Sequence, residues 1–390
     1  MLFLTTLAVL LWLYLLLGHG RFWQSAPELP AARPAATPSV AVIVPARDEA
    51  PFIATTLRSL AAQDYAGPFR IILVDDNSTD HTGDIARSFD DPRITVLTGA
   101  PRPAGWSGKL WAIAQGLAEA GPAEAKPAET RPAEARQADL VLLTDADIEH
   151  QPGHLAALIA QQERTGCDLI SEMVALRCQS LAEHALVPAF VFFFQLLYPF
   201  SRVNDPQSNT AAAAGGTILL HRRALARIGG IEAVRGKLID DVALAAAVKK
   251  GGRIWLGHST LAASLRPYPR FADIWAMVAR TAYVQLRFSP FLLLGTVLAM
   301  ALTWLIPPAA ALFAHGAARW LGIAAWIMLA ASYLPTLRRY GRSRLWAPFL
   351  PAVASFYLAA TIGSAVNHYR GRGVAWKGRA YQGADQGADG

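Results

Sequence analysis

Seventeen uncharged residues, LFLTTLAVLLWLYLLLG (2–18), open the chain, and long apolar runs return only after about residue 288. This division constrains the fold before any motif does. A stretch of that length and character can cross a bilayer with little to spare, whereas Ser39 to about Pro269 has the mixed polarity of a globular domain. No Lys or Arg precedes the first run and GHGRFW follows it, so residues 1–18 read as an uncleaved N-terminal anchor rather than a signal peptide. Arg21 and Arg33 lie just after this span. Their position places the central domain on the cytoplasmic side of the inner (cytoplasmic) membrane. Residues 19–38, rich in Pro and Ala, read as an extended, unpacked linker.

The formal charge is +7, but the basic residues gather in LRRYGRSR (337–344) and HYRGRGVAWKGR (368–379), beside apolar runs. Lipid headgroups account for that placement, and no nucleic-acid partner is expected. Two cysteines, Cys167 and Cys178, support neither a disulfide framework nor a cysteine zinc site.

Between 39 and 147 the pattern alternates. SVAVIVPA (39–46), RIILV (70–74), RITVLTG (93–99) and ADLVLLTDAD (138–147) read as buried strands. Helical segments separate them, one with Phe52, Ile53, Leu57 and Leu60 on a single face and another at 108–120. The expected class is α/β with a mostly parallel sheet, and ligands in such sheets bind beyond the carboxyl ends of the strands. Residues 121–137 repeat Pro-Ala-Glu with no apolar face and read as a mobile surface insertion.

Three acidic groups follow the apolar segments: Asp75–Asp76, Asp145–Asp147 and Asp240–Asp241. Each alone could cap a helix or line a turn. Two of them at successive strand ends would touch one ligand. Asp145 and Asp147, two apart, leave an extended backbone on the same side, which suits a divalent cation (Mg or Mn) that also binds substrate phosphates. Asp75 and Asp76 suit hydrogen bonds to a base and ribose. No Walker lysine motif and no Gly-x-Gly-x-x-Gly fingerprint follows a strand, which excludes ATPase and dinucleotide dehydrogenase readings.

In order, VIVPARDEA, LVDDNSTDHT, LLTDADIEH, GGTILLHRRAL and IDDVALA resemble the signature blocks of family 2 glycosyltransferases with the GT-A fold, over about 39–290. GWSGKLWA (105–112), RPYP (266–269), TAYVQLRFSP (281–290) and the tail WKGRAY resemble the membrane-bound branch associated with hopanoids and carotenoids. The resemblance implies inverting, metal-dependent transfer of one sugar from a nucleotide-diphosphate sugar, usually a UDP-sugar, to a lipid acceptor such as a hopanoid. It places Pro45, Ala46, Arg47 and Glu49 at the nucleobase end with Asp76, and Lys109 near the donor. It makes Asp145 and Asp147 the metal motif and Asp241, beside Asp240, the general base. The family more often has Glu-Asp where Asp240–Asp241 stand. Its Gln-x-x-Arg-Trp block is reduced to Arg287–Phe288 with Val284 in place of Gln, which argues against processive synthesis. The alternatives are a polyprenyl-phosphate sugar synthase, which would need no base, and a catalytically silent membrane scaffold of the same fold.

The expected domain spans 39–287, followed by membrane helices over 288–368 and a basic tail, 369–390. Candidate spans are 290–313, 319–337 and 345–366. Three full crossings would leave the two basic clusters on opposite sides, so either the last run dips in and returns or an earlier one is incomplete. LVPAFVFFFQLLYPF (186–200) is short for a span and reads as an interfacial, acceptor-contacting helix ahead of a core one. His221 and His258 read as structural, and Trp106 as packing at least as much as stacking.

Overall fold

The first half of the chain folds by the alternation its sequence carries. The computed structural model describes residues 1–121 and 138–371, with the backbone of Ala375–Trp376 and Arg379–Ala380. All but the first residue of the expected insertion 121–137, and most of the expected basic tail, lie outside the described residues. The strands are β1 (Val40–Ala46), β2 (Phe69–Asp75), β3 (Ile94–Thr98), β4 (Leu140–Thr144), β5 (Ile148–His150), β6 (Leu169–Ala175), β7 (Thr217–His221) and β8 (Ile254–Ser264). They form one sheet in the order β3-β2-β1-β4-β7-β6-β8-β5.

α1 (Leu2–Leu17) precedes the sheet, and helices α2 (Ala50–Ala61), α3 (Thr82–Arg87), α4 (Gly108–Glu119) and α5 (His154–Thr165) accompany the first strands. Every residue of β1 is buried, as a central strand covered on both faces requires. α2 turns Ile53, Leu57 and Leu60 inward, and α4 closes on β1 at Gly116, where a Cβ would lie 2.6 Å from Ile43 Cγ2. Parallel register pairs Ala46 with Asp75 and Ile43 with Leu143, so the chain leaves β1, β2 and β4 side by side on one edge. Arg47, Asp76 and Asp145 therefore start from neighbouring points.

The second half departs from simple alternation. β7 lies between β4 and β6 and runs antiparallel to both, while β6 and β8 are parallel. After β6 the chain makes an excursion through α6 (Leu181–Leu197) and α7 (Phe200–Asn204) and returns at the carboxyl edge of β4, where Thr217 pairs with Thr144. The sheet is mixed, and the start of β7 delivers Gly215 and Gly216 to that edge. α8 (Arg222–Arg227) and α9 (Asp240–Lys249) then lead to β8.

The expected unpacked linker is extended but docked. Glu28 bridges to His258, the Leu29 amide donates to the His258 carbonyl at 2.8 Å, and Leu29 is buried. Glu163 accepts from the amides of Ala35 and Ala36. Phe22, against Phe192, and Leu29 are buried, and these two side chains dock the segment together with its backbone polar groups.

α6 also differs from expectation. Ala189, Val191 and Phe192 are fully buried, and the Phe192 ring lies 6.1 Å from Trp304 and 5.3 Å from Tyr333. It is a core helix at the seam between the sheet and the apolar helices α10 (Phe271–Gln285), α11 (Pro290–Met300), α12 (Ile306–Phe313), α13 (Gly316–Arg339) and α14 (Leu350–Tyr369). Its aromatics pack on other aromatics rather than facing outward. Three helical stretches, Pro290–Phe313, Gly316–Arg339 and Arg344–Tyr369, are long and apolar enough to cross a membrane. α1, with 16 residues, falls short of a hydrocarbon core of ~30 Å and packs on α13.

Candidate active site

Two helix starts face each other across the carboxyl edge of the sheet. α4 begins at Gly108, capped by the Ser107 hydroxyl accepting from the Leu110 amide, which sets Lys109 in the first turn. α9 begins at Asp240, and Asp241 Oδ1 accepts from the Val242 amide at 2.8 Å. Lys109 Nζ lies 2.6 Å from Asp145 Oδ1. Gly215 lies beside both groups: a Cβ there would sit 3.2 Å from Asp241 Oδ2 and 3.4 Å from Lys109 Nζ. Lys109, Gly215, Asp240 and Asp241 share a cavity of about 20 Å³ with Leu110, Ile113, Leu143, Ile218, Ile231 and Leu244, room for about one water.

The charges in this cluster tune one another. Burial raises the Asp241 carboxyl, Asp240 raises it further, Lys109 opposes both, and the result is about 7. Burial would lower the Lys109 ammonium, but Asp145, Asp240 and Asp241 outweigh it and raise it. Asp241 is therefore poised near neutrality beside a fixed cation.

Asp147 points to a different partner. Its Oδ2 accepts from Arg266 Nε at 2.6 Å, and Arg266 Nη2 reaches both Glu49 oxygens at 2.7 and 2.6 Å. The guanidinium also covers the Phe52 ring at 5.1 Å. Burial raises the Asp147 carboxyl and Asp145 adds to it, against Arg266. Glu49, expected at the nucleobase end, thus sits on the Asp147 side of the site. Arg266 lies in RPYP, two residues beyond the eleven-residue strand β8, and a charged residue in the loop after a long strand is the signal that marks it.

The β1 and β2 ends form the neighbouring part. The Asp76 amide donates to the Ala46 carbonyl at 2.8 Å, and Arg47 Nη1 donates to the Asp76 carbonyl and lies 3.8 Å from its Oδ2. Pro45 and Ala46 are the last residues of β1, paired with Val74 and Asp75. Asp75 turns away, accepting from the Ser78 amide at 3.0 Å and lining a cleft of about 460 Å³ with Asn77, Thr79, Arg87 and Thr98. That cleft and the Asp241 cavity share no lining residue. Asp80, the third acid of LVDDNSTD, accepts from the Ala50 and Thr82 amides and is a turn brace. Trp106 is buried under the Arg235 guanidinium, 5.5 Å from its ring, and His258 Nε2 donates to Gln195 Oε1 in the core.

The model of the family described as Glycosyl transferase family 2 matches residues 41–229. This stretch is a glycosyl transferase family 2 domain. The chain is 44% identical over 64 residues to an N-acetylglucosaminyltransferase of Bradyrhizobium elkanii, covering 15% of this chain and 35% of that protein. It is 40% identical over 72 residues to an N-acetylglucosaminyltransferase of Bradyrhizobium sp. (strain ANU 289), covering 17% of this chain and 47% of that one. The aligned stretches thus span less than half the length of these relatives. Among solved structures, the mannosyltransferase PcManGT from Pyrobaculum calidifontis, in complex with GDP-Man and Mn2+, superposes with a TM-score of 0.52 at 20% identity. That match covers 93% of this chain and 95% of the other, and the sheet domain has the GT-A fold.

Within the family 2 domain, Asp145 and Asp147 supply hard oxygen donors from one turn. Among the described residues no three His, Cys, Asp or Glu side chains converge as a cage. Each carboxylate is paired through one oxygen, Asp145 with Lys109 and Asp147 with Arg266, and the set still fits Mg or Mn, which take one or two carboxylates and complete their shell with phosphate and water.

Proposed function

We propose that this chain transfers one sugar from a nucleoside-diphosphate sugar to a hydroxyl of a membrane lipid, with inversion at the anomeric carbon. The observation that carries the reading is the meeting of Asp145, Lys109 and Asp240–Asp241, from three separate segments, at the carboxyl edge of the family 2 domain. Inversion by direct displacement needs a carboxylate that accepts the acceptor's proton opposite the leaving group. Asp241 is that group. The acceptor oxygen bonds to the anomeric carbon while the bond to the diphosphate breaks; the proton goes to Asp241 and the electron pair leaves with the nucleoside diphosphate. Lys109 pairs with Asp145 and favours the ionised form of Asp241 at close range. Held by Asp145 and Asp147, a Mg or Mn ion would neutralise charge developing on the departing diphosphate.

The donor's nucleoside is assigned to Pro45, Ala46, Arg47 and Asp76, with Asp75 in the adjoining cleft and Glu49 acting through Arg266. A UDP-sugar is the expected donor, and the names of the Bradyrhizobium relatives make N-acetylglucosamine the first sugar to test. The exposed apolar faces of α11 and α13, with Phe291 85% and Trp320 70% exposed, support a bilayer setting and a lipid acceptor. Among lipids, a hopanoid is favoured by the sequence blocks, and the inner membrane with a cytoplasmic domain by the placement of arginines. A base at Asp241 speaks against a polyprenyl phosphate acceptor, which arrives already ionised.

The test is a donor screen. Membranes carrying the full chain are incubated with UDP-N-acetylglucosamine, UDP-glucose or GDP-mannose and a hopanoid-containing lipid extract. A glycosylated lipid found by mass spectrometry, and lost in Asp241→Asn, is expected. Absence of any sugar-bearing lipid with all three donors overturns the reading.

A further inference from the structure

Behind the Asp145–Asp147 turn runs a chain of buried polar side chains that the reaction above does not use. Glu172 on β6 and His154 at the start of α5 are fully buried, and His150 and Thr144 nearly so. Glu172 Oε1 lies 2.6 Å from His154 Nε2. His154 Nδ1 lies 2.9 Å from His150 Nδ1, with the rings stacked 5.0 Å apart, and His150 Nε2 lies 3.2 Å from Thr144 Oγ1. Thr144 Oγ1 donates to the Gly216 carbonyl at 3.0 Å. The same carbonyl accepts from the Asp145 amide at 3.3 Å.

With the single Thr144 hydroxyl proton donated to the Gly216 carbonyl, His150 Nε2 donates to Thr144; the reverse polarity, with Thr144 donating to His150, would leave Gly216 without that bond. Burial and His154 hold the His150 imidazole far below its usual value, so the ring is neutral and its Nδ1 is an acceptor. His154 Nδ1 must then donate. Whichever of Glu172 and His154 holds the proton between them, the direction is the same. Among the described residues neither Glu172 oxygen nor His154 Nε2 has a partner in hydrogen-bond geometry, so their 2.6 Å contact is what offsets the burial of this carboxyl group.

We propose that Glu172, His154 and His150 are positioning residues that orient the Thr144 hydroxyl toward Gly216, and thereby hold Asp145 and Gly215 in register beside Asp241. The inference deepens the glycosyl transfer reading and rests on it for its kinetic consequence. The geometry suits the role. Gly216 joins β7 to the loop that passes Lys109 and Asp241, and Ser171, next to Glu172, clamps the other side of that loop by exchanging hydrogen bonds with Ala214.

Two measurements test it on the full chain in detergent. 15N-histidine NMR, assigned with His150→Gln, is expected to show His150 as the neutral Nε2–H tautomer; the Nδ1–H tautomer overturns the proposal without reference to any activity. Sugar transfer from UDP-N-acetylglucosamine is then compared among variants. Thr144→Val is expected to lower kcat about tenfold with donor KM within about twofold, and Thr144→Ser to restore it. His154→Phe combined with Glu172→Leu, which removes the buried charge and its partner together, is expected to lower kcat to a similar degree. The triple variant should be no slower than either parent, because both break one chain. Losses that multiply, or a wild-type kcat in His154→Phe/Glu172→Leu, overturn it. Wild-type protein that transfers no sugar sinks the functional reading instead, and the tautomer still decides the relay.

Discussion

Lys109 Nζ lies 2.6 Å from Asp145 Oδ1 and is drawn as well by Asp240 and Asp241 at the start of a distant helix. One ammonium thus joins the turn assigned to the leaving diphosphate with the group assigned to the acceptor's proton. Its positive charge opposes the burial that raises Asp241.

Asp241 near 7 gives a pH signature. A protonated carboxyl cannot accept the acceptor's proton, so turnover should fall as pH drops below about 7 and level off above it. Asp241→Asn should lower kcat by about a hundredfold or more with donor KM changed less than about threefold. Steady-state kinetics across pH 5.5–9 check both, and an equal rise in KM contradicts a base. Because the folded value exceeds that of an unfolded aspartate, about 4, the sign for stability is opposite. This group's contribution is present at low pH and is lost as pH rises toward 7.

Lys109→Met removes the charge that holds the Asp241 carboxyl down. The acid limb of the pH–rate profile should move to higher pH, and kcat at neutral pH should fall. A limb that stays in place, measured on the same pH series, separates Lys109 from Asp241.

Gly83 has no room for a side chain. A Cβ there would lie 2.2 Å from Asp75 Oδ2 and 2.9 Å from Arg87 Nη1. Gly83→Ala must push the Asp75 carboxylate across its cleft. If that cleft holds part of the nucleoside, donor KM should rise about tenfold with kcat within about twofold, the loss expected for one or two displaced hydrogen bonds. A lower melting temperature with unchanged KM would make Asp75 a brace for the turn alone.

How much of this was legible follows from the range of the contacts. β1 to β4 and helices α2 and α4 are local: an apolar run, a stop, a face repeating every three to four residues. Asp145, Asp147 and Asp241 could be picked out because carboxylates after apolar segments have no packing role there. β7 could not be placed between β4 and β6, since antiparallel pairing across 70 residues leaves no mark on either strand. The Glu172–His154–His150 chain was equally hidden, with three residues on three elements and each a plausible core polar group alone. Arg266 lies in the RPYP segment, but its two partners, Glu49 and Asp147, are far away in sequence. The aromatic richness of α6 does not separate an interfacial helix from a core one, because cores built from aromatics share it.

Arg266 holds Asp147 and Glu49 with one guanidinium, so it stands where a cation at Asp147 would be repelled. Unit charges about 5 Å apart at an effective dielectric near 20 interact by about 3 kcal/mol. Arg266→Gln should therefore tighten Mn2+ binding by about tenfold or more, read by electron paramagnetic resonance titration of the full chain with UDP present. The melting temperature should fall, since two largely buried carboxylates lose their partner. Unchanged or weaker Mn2+ binding would remove Arg266 from the electrostatics of the metal motif.

The last apolar helix makes a prediction about sidedness. α6 is tied to the sheet at both ends: it follows β6, and beyond it Asn204 of α7 accepts from the Leu256 amide of β8 at 2.7 Å. At its start, His184 lies 2.6 Å from Arg342, just before the Arg344–Tyr369 stretch. At its end, Tyr198 accepts from Gln285 of α10, and two residues earlier Tyr283 meets Ser364 and Tyr369 at the end of α14. Phe356 of α14 lies against Phe271 and Trp275 at the start of α10. The three helices therefore run alongside one another in the same direction, and both ends of the last apolar stretch stay level with the sheet domain. Its length would allow a crossing, but a single continuous helix held alongside α6 and α10 is expected to lie along the sheet domain, with Ser343 and Arg370 on one side. Single cysteines replacing Ser343 and Arg370 should react with an impermeant maleimide from the same side of sealed vesicles as a cysteine replacing Asn77 of the domain. Labelling of the residue 370 position from the opposite side would make the stretch a true span.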